Sequence, residues 1–135
     1  MRIVYARMRH LDALALKERM IPKERLTDKI RRKEIILAMD GEMIIGWLRY
    51  GRIHDNVPVI TMVHPSSTSH DNDIPSRLVR RFEAVMRQKG HILVLASSPE
   101  GSTARHLYRA LGYEDTGGIT LDPGSRERLF KKALF

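Results

Sequence analysis

Cysteine is absent from the 135 residues, and its absence removes three chemistries at once: a disulfide framework, a thiolate metal site, and a covalent acyl intermediate on sulfur. A cysteine-free chain is compatible with a reducing compartment, and the cytoplasm is the expected location. Long apolar runs are missing as well. Nowhere do the roughly 18 consecutive apolar residues of a membrane span occur, and no signal-peptide core follows Arg2 and Arg7. Aromatic residues make up only 6% of the chain, which leaves little stacking surface for nucleic-acid bases. Neither a repeat nor a low-complexity tract breaks the sequence, so residues 1–135 are expected to form one domain around a shared core.

Positive charge is abundant, with 24 Lys and Arg against 16 Asp and Glu. The formal charge of +8 favours encounter with anionic ligands. Apolar residues at 42% are sufficient for a core in a chain of this length.

Periodicity supplies the elements. A short strand is expected over Arg2 to Ala6, then a helix from Leu11 to Met20 and a second, strongly basic helix opened by Pro22. Asp40-Gly41 marks a hairpin between strands at Glu34–Met39 and Glu42–Tyr50, and His54-Asp55-Asn56 turns the chain into another strand at Val57–Val63, for a four-strand meander. After the polar stretch Pro65 to Asp73, the spacing of Leu78, Val79, Phe82, Val85 and Met86 predicts an amphipathic helix, with Asp73 as N-cap, Pro75 in the first turn and Gly90 as stop. The run Ile92 to Ala96 reads as a strand buried on both faces. A helix carrying Ala104, Leu107, Tyr108 and Leu111 follows, capped by Ser102 or Thr103, and two strands at Tyr113–Leu121 and Arg126–Leu134 flank the turn Asp122-Pro123-Gly124-Ser125.

This order, together with Ala104-Arg105-His106-Leu107-Tyr108-Arg109-Ala110-Leu111-Gly112-Tyr113, resembles the GNAT N-acetyltransferases, whose segment reads A-x-x-L/F-Y-x-x-x-G-F/Y. Asp40-Gly41 with Gly46, and Val63-His64-Pro65, are similar to two further stretches of that family. The resemblance implies an α/β (α+β) GNAT-like fold, a mixed sheet of about seven strands with about four helices. It implies acetyl transfer from acetyl-CoA to an amine-bearing acceptor, whether a small molecule, a protein N-terminus or a lysine, with Tyr108 as the acid toward the departing thiolate. The family's carboxylate base on the fourth strand has no counterpart among Val59 to Met62, so His64, His54 and Glu100 are the substitutes of suitable chemistry. Backbone N–H groups from Met62, Val63 and His64 would polarise the acyl carbonyl, and Asn72, Asp73, Ile74, Ser76, Arg77 and Ser102 would border the cofactor.

One segment departs from the family. Its pyrophosphate loop carries glycines where His70-Asp71-Asn72-Asp73-Ile74-Pro75 stands here, so Asp73 and Pro75 occupy glycine positions and Gly101 replaces a frequent Asn. Proline lacks an N–H, and Asp71 and Asp73 oppose phosphate, whereas Arg77, Arg80 and Arg81 could offset them. The alternative is therefore a GNAT-fold binding module that no longer uses coenzyme A; a third, RNA binding through Lys23 to Lys33, suffers from the scarcity of aromatics.

Overall fold

The computed structural model describes residues 1–66 and 73–135. Its seven strands, β1 (Arg2–Tyr5), β2 (Ile35–Asp40), β3 (Met43–Ile53), β4 (Val57–His64), β5 (Leu93–Pro99), β6 (Glu114–Asp122) and β7 (Ser125–Ala133), form one sheet in the order β1-β2-β3-β4-β5-β7-β6. The expected meander is present as four antiparallel neighbours; β4 and β5 are the parallel pair, joined through α3 (Ile74–Gln88), and β7 inserts between β5 and β6. The helices α1 (Leu11–Lys17), α2 (Lys23–Arg31) and α4 (Ala104–Ala110) complete the mixed α/β architecture. Helix α1 ends three residues before the expected Met20, and a 3-10 turn (Met8–His10) precedes it. Among the described residues, no helix is long and apolar enough to cross a membrane.

Alternation along the strands divides two cores. Ile36, Ala38, Leu48 and Tyr50 point to one face, where α3 and α4 add Leu78, Phe82 and Leu107; Ile35, Leu37, Met39 and Trp47 point to the other, where α1 and α2 add Leu14, Leu26 and Ile30. Each of the completely buried Leu and Phe side chains contributes about 1.5–3 kcal/mol of transfer free energy. Coverage of the second face stops short of β5. Ile92 is 66% and Leu93 37% exposed, which corrects the expectation of a strand buried on both faces. Val94 and Ala96 lie under α3 and α4, but among the described residues no helix covers Leu93 on the reverse side, because the α1–α2 core is made with β2 and β3.

Two local features aim the chain at the site. A β-carbon on Gly46 would lie 2.7 Å from the Ile74 Cγ2 and 2.8 Å from the His64 oxygen, so its bare backbone lets the first residue of α3 and the end of β4 meet over β3. In the β3–β4 register, Arg49 pairs with Met62 and Tyr50 with Ile60, leaving Thr61 as a β-bulge. A bulge bends its strand. Asp73 precedes α3 as expected, but its side chain makes no capping hydrogen bond; the first helical bond runs from the Arg77 N–H to the Asp73 carbonyl at 3.0 Å.

Beside β1, buried His10 accepts the Arg7 N–H on Nδ1 at 2.9 Å, so its ring is neutral with the proton on Nε2. Burial first, then Arg9, with Arg2 and Arg7 adding to it and Glu42 opposing, lowers its pKa below the ordinary 6.5. The unfolded chain thus binds this proton at a higher pH than the folded chain does. His10 stability is complete above pH 6.5 and declines as pH falls toward the lowered folded value. Urea midpoints between pH 7.5 and 5.5 should fall for the wild type and less steeply for His10→Gln; equal slopes would exclude His10 as the cause.

Candidate active site

The parallel pairing of β4 with β5 covers only Val59↔Leu95 and Ile60↔Ala96, yet β4 continues to His64 and β5 to Pro99. The strands separate immediately after these pairs, at the bulge on Thr61. Backbone groups of the β4 end that would have bonded β5 are left facing a cleft of about 320 Å³. Met62, Val63 and His64 form one wall, Ser97, Ser98 and Pro99 the other, and Ser102, Ala104 and Tyr108 close it from α4. Ser66 and Thr103 hydroxyls hydrogen-bond each other at 3.2 Å, tying the segment after β4 to the start of α4.

Because the cleft is a gap in the sheet, it opens on both faces. Tyr108 and Ser98 belong to the α3–α4 side. Tyr108 is 1% exposed, packed against Tyr113 (5.4 Å between centroids) and Phe130 (5.6 Å), and its hydroxyl makes no hydrogen bond among the described residues although the residue lines the cleft. Burial raises its pKa, so the phenol stays protonated across the physiological range. Ser98 Oγ is buried, lines the same space and has no hydrogen-bond partner among the described residues. An unsatisfied buried hydroxyl costs about 1–3 kcal/mol. Ser102 Oγ accepts the Ala104 N–H at 3.2 Å, whereas Thr103, at the N-cap of α4, makes no side-chain capping bond.

The α1–α2 side carries residues that sequence inspection did not single out. Glu18, 3% exposed just beyond α1, accepts the Met20 N–H (2.9 Å) and the Trp47 indole N–H (3.1 Å), and its Oε2 lies 3.5 Å from Arg49 Nε. Arg49 donates to Thr61 Oγ1 at 3.3 Å, while its buried Nε has no hydrogen-bond partner among the described residues. Trp47 stacks on His64 with centroids 4.4 Å apart. From β7, Glu127 accepts a hydrogen bond from Ser97 Oγ at 2.8 Å, and among the described residues no cation lies within ion-pairing distance of it. The i, i+2 placement of Trp47 and Arg49 on one strand was the signal available for that wall; Glu18 and Glu127 join it only through the fold, as Ser98 joins Tyr108 on the other side.

His54 and Glu100 do not line the cleft: His54 sits in the β3–β4 turn at φ 53°, and Glu100 lies in the exposed turn after β5. The other expected cofactor residues cluster at the start of α3, where Ile74 adjoins His64 across Gly46, Ser76 is 5% exposed, and Asp73 and Arg77 are exposed. Pro75 occupies the first turn and withdraws one N–H from that terminus. Arg80 is exposed, whereas Arg81 donates to the Ile3 carbonyl at 3.1 Å and is thereby held at β1, away from this end. Asn72, and with it His70 and Asp71, lies outside the described residues.

Parallel strands that splay after a bulge, a helix returning beneath them and a terminal antiparallel hairpin define the GNAT acyl-CoA N-acyltransferase fold, and this chain has it. Among solved structures it is similar to a GNAT-family acetyltransferase from Bacillus cereus (16% identity, 98% of this chain and 96% of the other, TM-score 0.76). It is likewise similar to the ribosomal-protein-alanine N-acetyltransferase of Brucella melitensis (15%, 98% and 99%, 0.77) and to YncA of Salmonella typhimurium, solved with its cofactor acetyl-CoA (13%, 100% and 94%, 0.78). No family model matches the sequence, and no curated protein matches it significantly.

Proposed function

We propose that the protein is an N-acetyltransferase taking its acyl group from acetyl-CoA and passing it directly to an amine. The observation that carries this reading is the two-faced cleft, with the Tyr108 hydroxyl and the Ser98 Oγ on one side of the sheet and the Glu127 carboxylate on the other, Ser98 without a hydrogen-bond partner and Glu127 without a cation among the described residues. Such a gap admits two substrates from opposite faces and brings them together at the sheet plane.

The cleft suits the narrow thioester arm of coenzyme A, which would lie along Met62 and Val63 and offer Ser98 its missing partner. When bound, acetyl-CoA supplies an activated acyl carbonyl and a thiolate leaving group. Free N–H groups at the β4 end stabilise negative charge on the carbonyl oxygen. Tyr108 holds a proton within the cleft for sulfur, and Glu127 attracts the cationic acceptor and takes the proton its nitrogen gives up; His64, held by Trp47, is the second basic group within the cleft. With no cysteine, direct transfer needs no covalent enzyme species on sulfur.

A second reading, a binding module without coenzyme A, draws on Asp73 and Pro75 at the start of α3, where a carboxylate and a missing N–H both disfavour a pyrophosphate. Titration calorimetry with acetyl-CoA at moderate salt separates the two. The enzyme reading expects saturable binding in the micromolar range, weakened by Ser98→Val, whose side chain fills the cleft wall without a hydroxyl. No heat at millimolar acetyl-CoA would refute it in favour of the module.

A further inference from the structure

At the opposite end of the sheet, β1 is an edge strand, and its outer side borders a cavity of about 370 Å³ lined by Arg2, Arg7, Arg9 and Arg81 together with Ile3 and Tyr5. None of these four arginines forms an ion pair with a described carboxylate. Glu42 acts on nearby His10 yet pairs with none of them. Four arginines lining one cavity without counter-charge repel one another unless an anion joins them.

The backbone adds donors of its own. The Ala6 N–H bonds the Ile35 carbonyl across to β2, and the Ile3 carbonyl accepts from Arg81 on the outer side. Strand alternation therefore directs the N–H groups of Ile3 and Tyr5 outward, into the arginine-lined space. Arg81 is anchored by that one bond through Nη2, which positions the rest of its fork; Arg2 is similarly tethered to the Gly41 carbonyl at 3.4 Å. Fixed guanidinium forks beside free main-chain N–H groups suit phosphate oxygens, and a walled cavity of this volume suits a compact group more than a long polymer.

We propose that this edge of β1 is a second binding site, for a small ligand carrying a diphosphate or triphosphate group. It is independent of the acetyltransferase reading, since it shares no lining residue with the β4–β5 cleft.

The test is a titration of the full-length, ¹⁵N-labelled protein with inorganic tripolyphosphate at near-physiological salt, with and without saturating coenzyme A. Expected are amide shifts at Ile3 and Tyr5 and side-chain shifts from the four arginines, all retained in the presence of coenzyme A. The titration of His10 should also move to higher pH, as bound anion cancels the field of Arg9, Arg2 and Arg7. The double variant Arg2→Gln with Arg9→Gln, at two exposed positions, should weaken the affinity about tenfold or more without loss of folding. Shifts confined to the start of α3, displacement by coenzyme A, unchanged affinity in the double variant, or binding of single-stranded RNA with no response to tripolyphosphate would each overturn the proposal.

Discussion

Tyr108→Phe should lower the acetyl-transfer rate by about 10²-fold or more while leaving the melting temperature within a few degrees of the wild type. The substitution removes one oxygen from a ring that stays packed between Tyr113 and Phe130. Since the hydroxyl makes no hydrogen bond among the described residues, no protein partner there is orphaned by its loss, and stability stays close to its starting value. What disappears is a proton donor in the cleft. Burial raises the phenol's pKa, so the donor form persists at every pH at which turnover is measured. The loss should therefore appear in kcat with little change in KM, because charge builds on the leaving sulfur only as the bond breaks. Glu127→Gln gives a different signature: it removes a proton acceptor from the cleft and weakens the attraction for a cationic acceptor, raising KM for the amine. Unchanged turnover in Tyr108→Phe would exclude its hydroxyl from the chemistry.

How much of this was legible beforehand depended on how local each signal was. The Asp40-Gly41 hairpin, the boundaries of α3 and the final hairpin were readable because turn residues and apolar periodicity act within a few residues of the structure they specify. The Ile92 to Ala96 run misled because an apolar stretch carries no record of whether a helix covers both sides, and here α1 and α2 cover only the half of the sheet built from β2 and β3. The site divides in the same way. Tyr108, Met62, Val63 and His64 were found through short stretches resembling the GNAT family, and the fold brings all of them to the cleft. Glu18, Arg49, Ser98 and Glu127 lie on four different segments. Their meeting depends on the parallel adjacency of β4 and β5 and on a bulge at Thr61, neither of which leaves a mark in composition or spacing.

Glu83 is the least expected of the buried groups, since it stands beside Phe82 on the core-facing side of α3 and is 3% exposed. Lys132 from β7 donates to both of its oxygens, at 3.0 and 3.2 Å, and to the Leu111 carbonyl at the end of α4, at 2.7 Å. The Tyr113 hydroxyl donates to the same carboxylate at 2.8 Å, and Lys132 lies 5.5 Å from the Tyr113 ring centroid. One ammonium thus joins α3, α4 and the β6–β7 hairpin behind the cleft. Lys132→Met keeps the stem and removes the charge, leaving a buried carboxylate with Tyr113 and a distant Arg87, 4.0 Å away. Breaking a buried pair from one side costs about 3–5 kcal/mol, and because the Lys132 side chain is 24% exposed the lower end applies. At about 3 kcal/mol the midpoint of thermal unfolding should fall by roughly 10 °C. The double variant Lys132→Met with Glu83→Gln should recover part of this, because the uncompensated charge is gone even though the salt bridge is not restored. A fall of less than about 1 kcal/mol in Lys132→Met, or no recovery in the double variant, would mean that packing rather than charge compensation holds these three elements together.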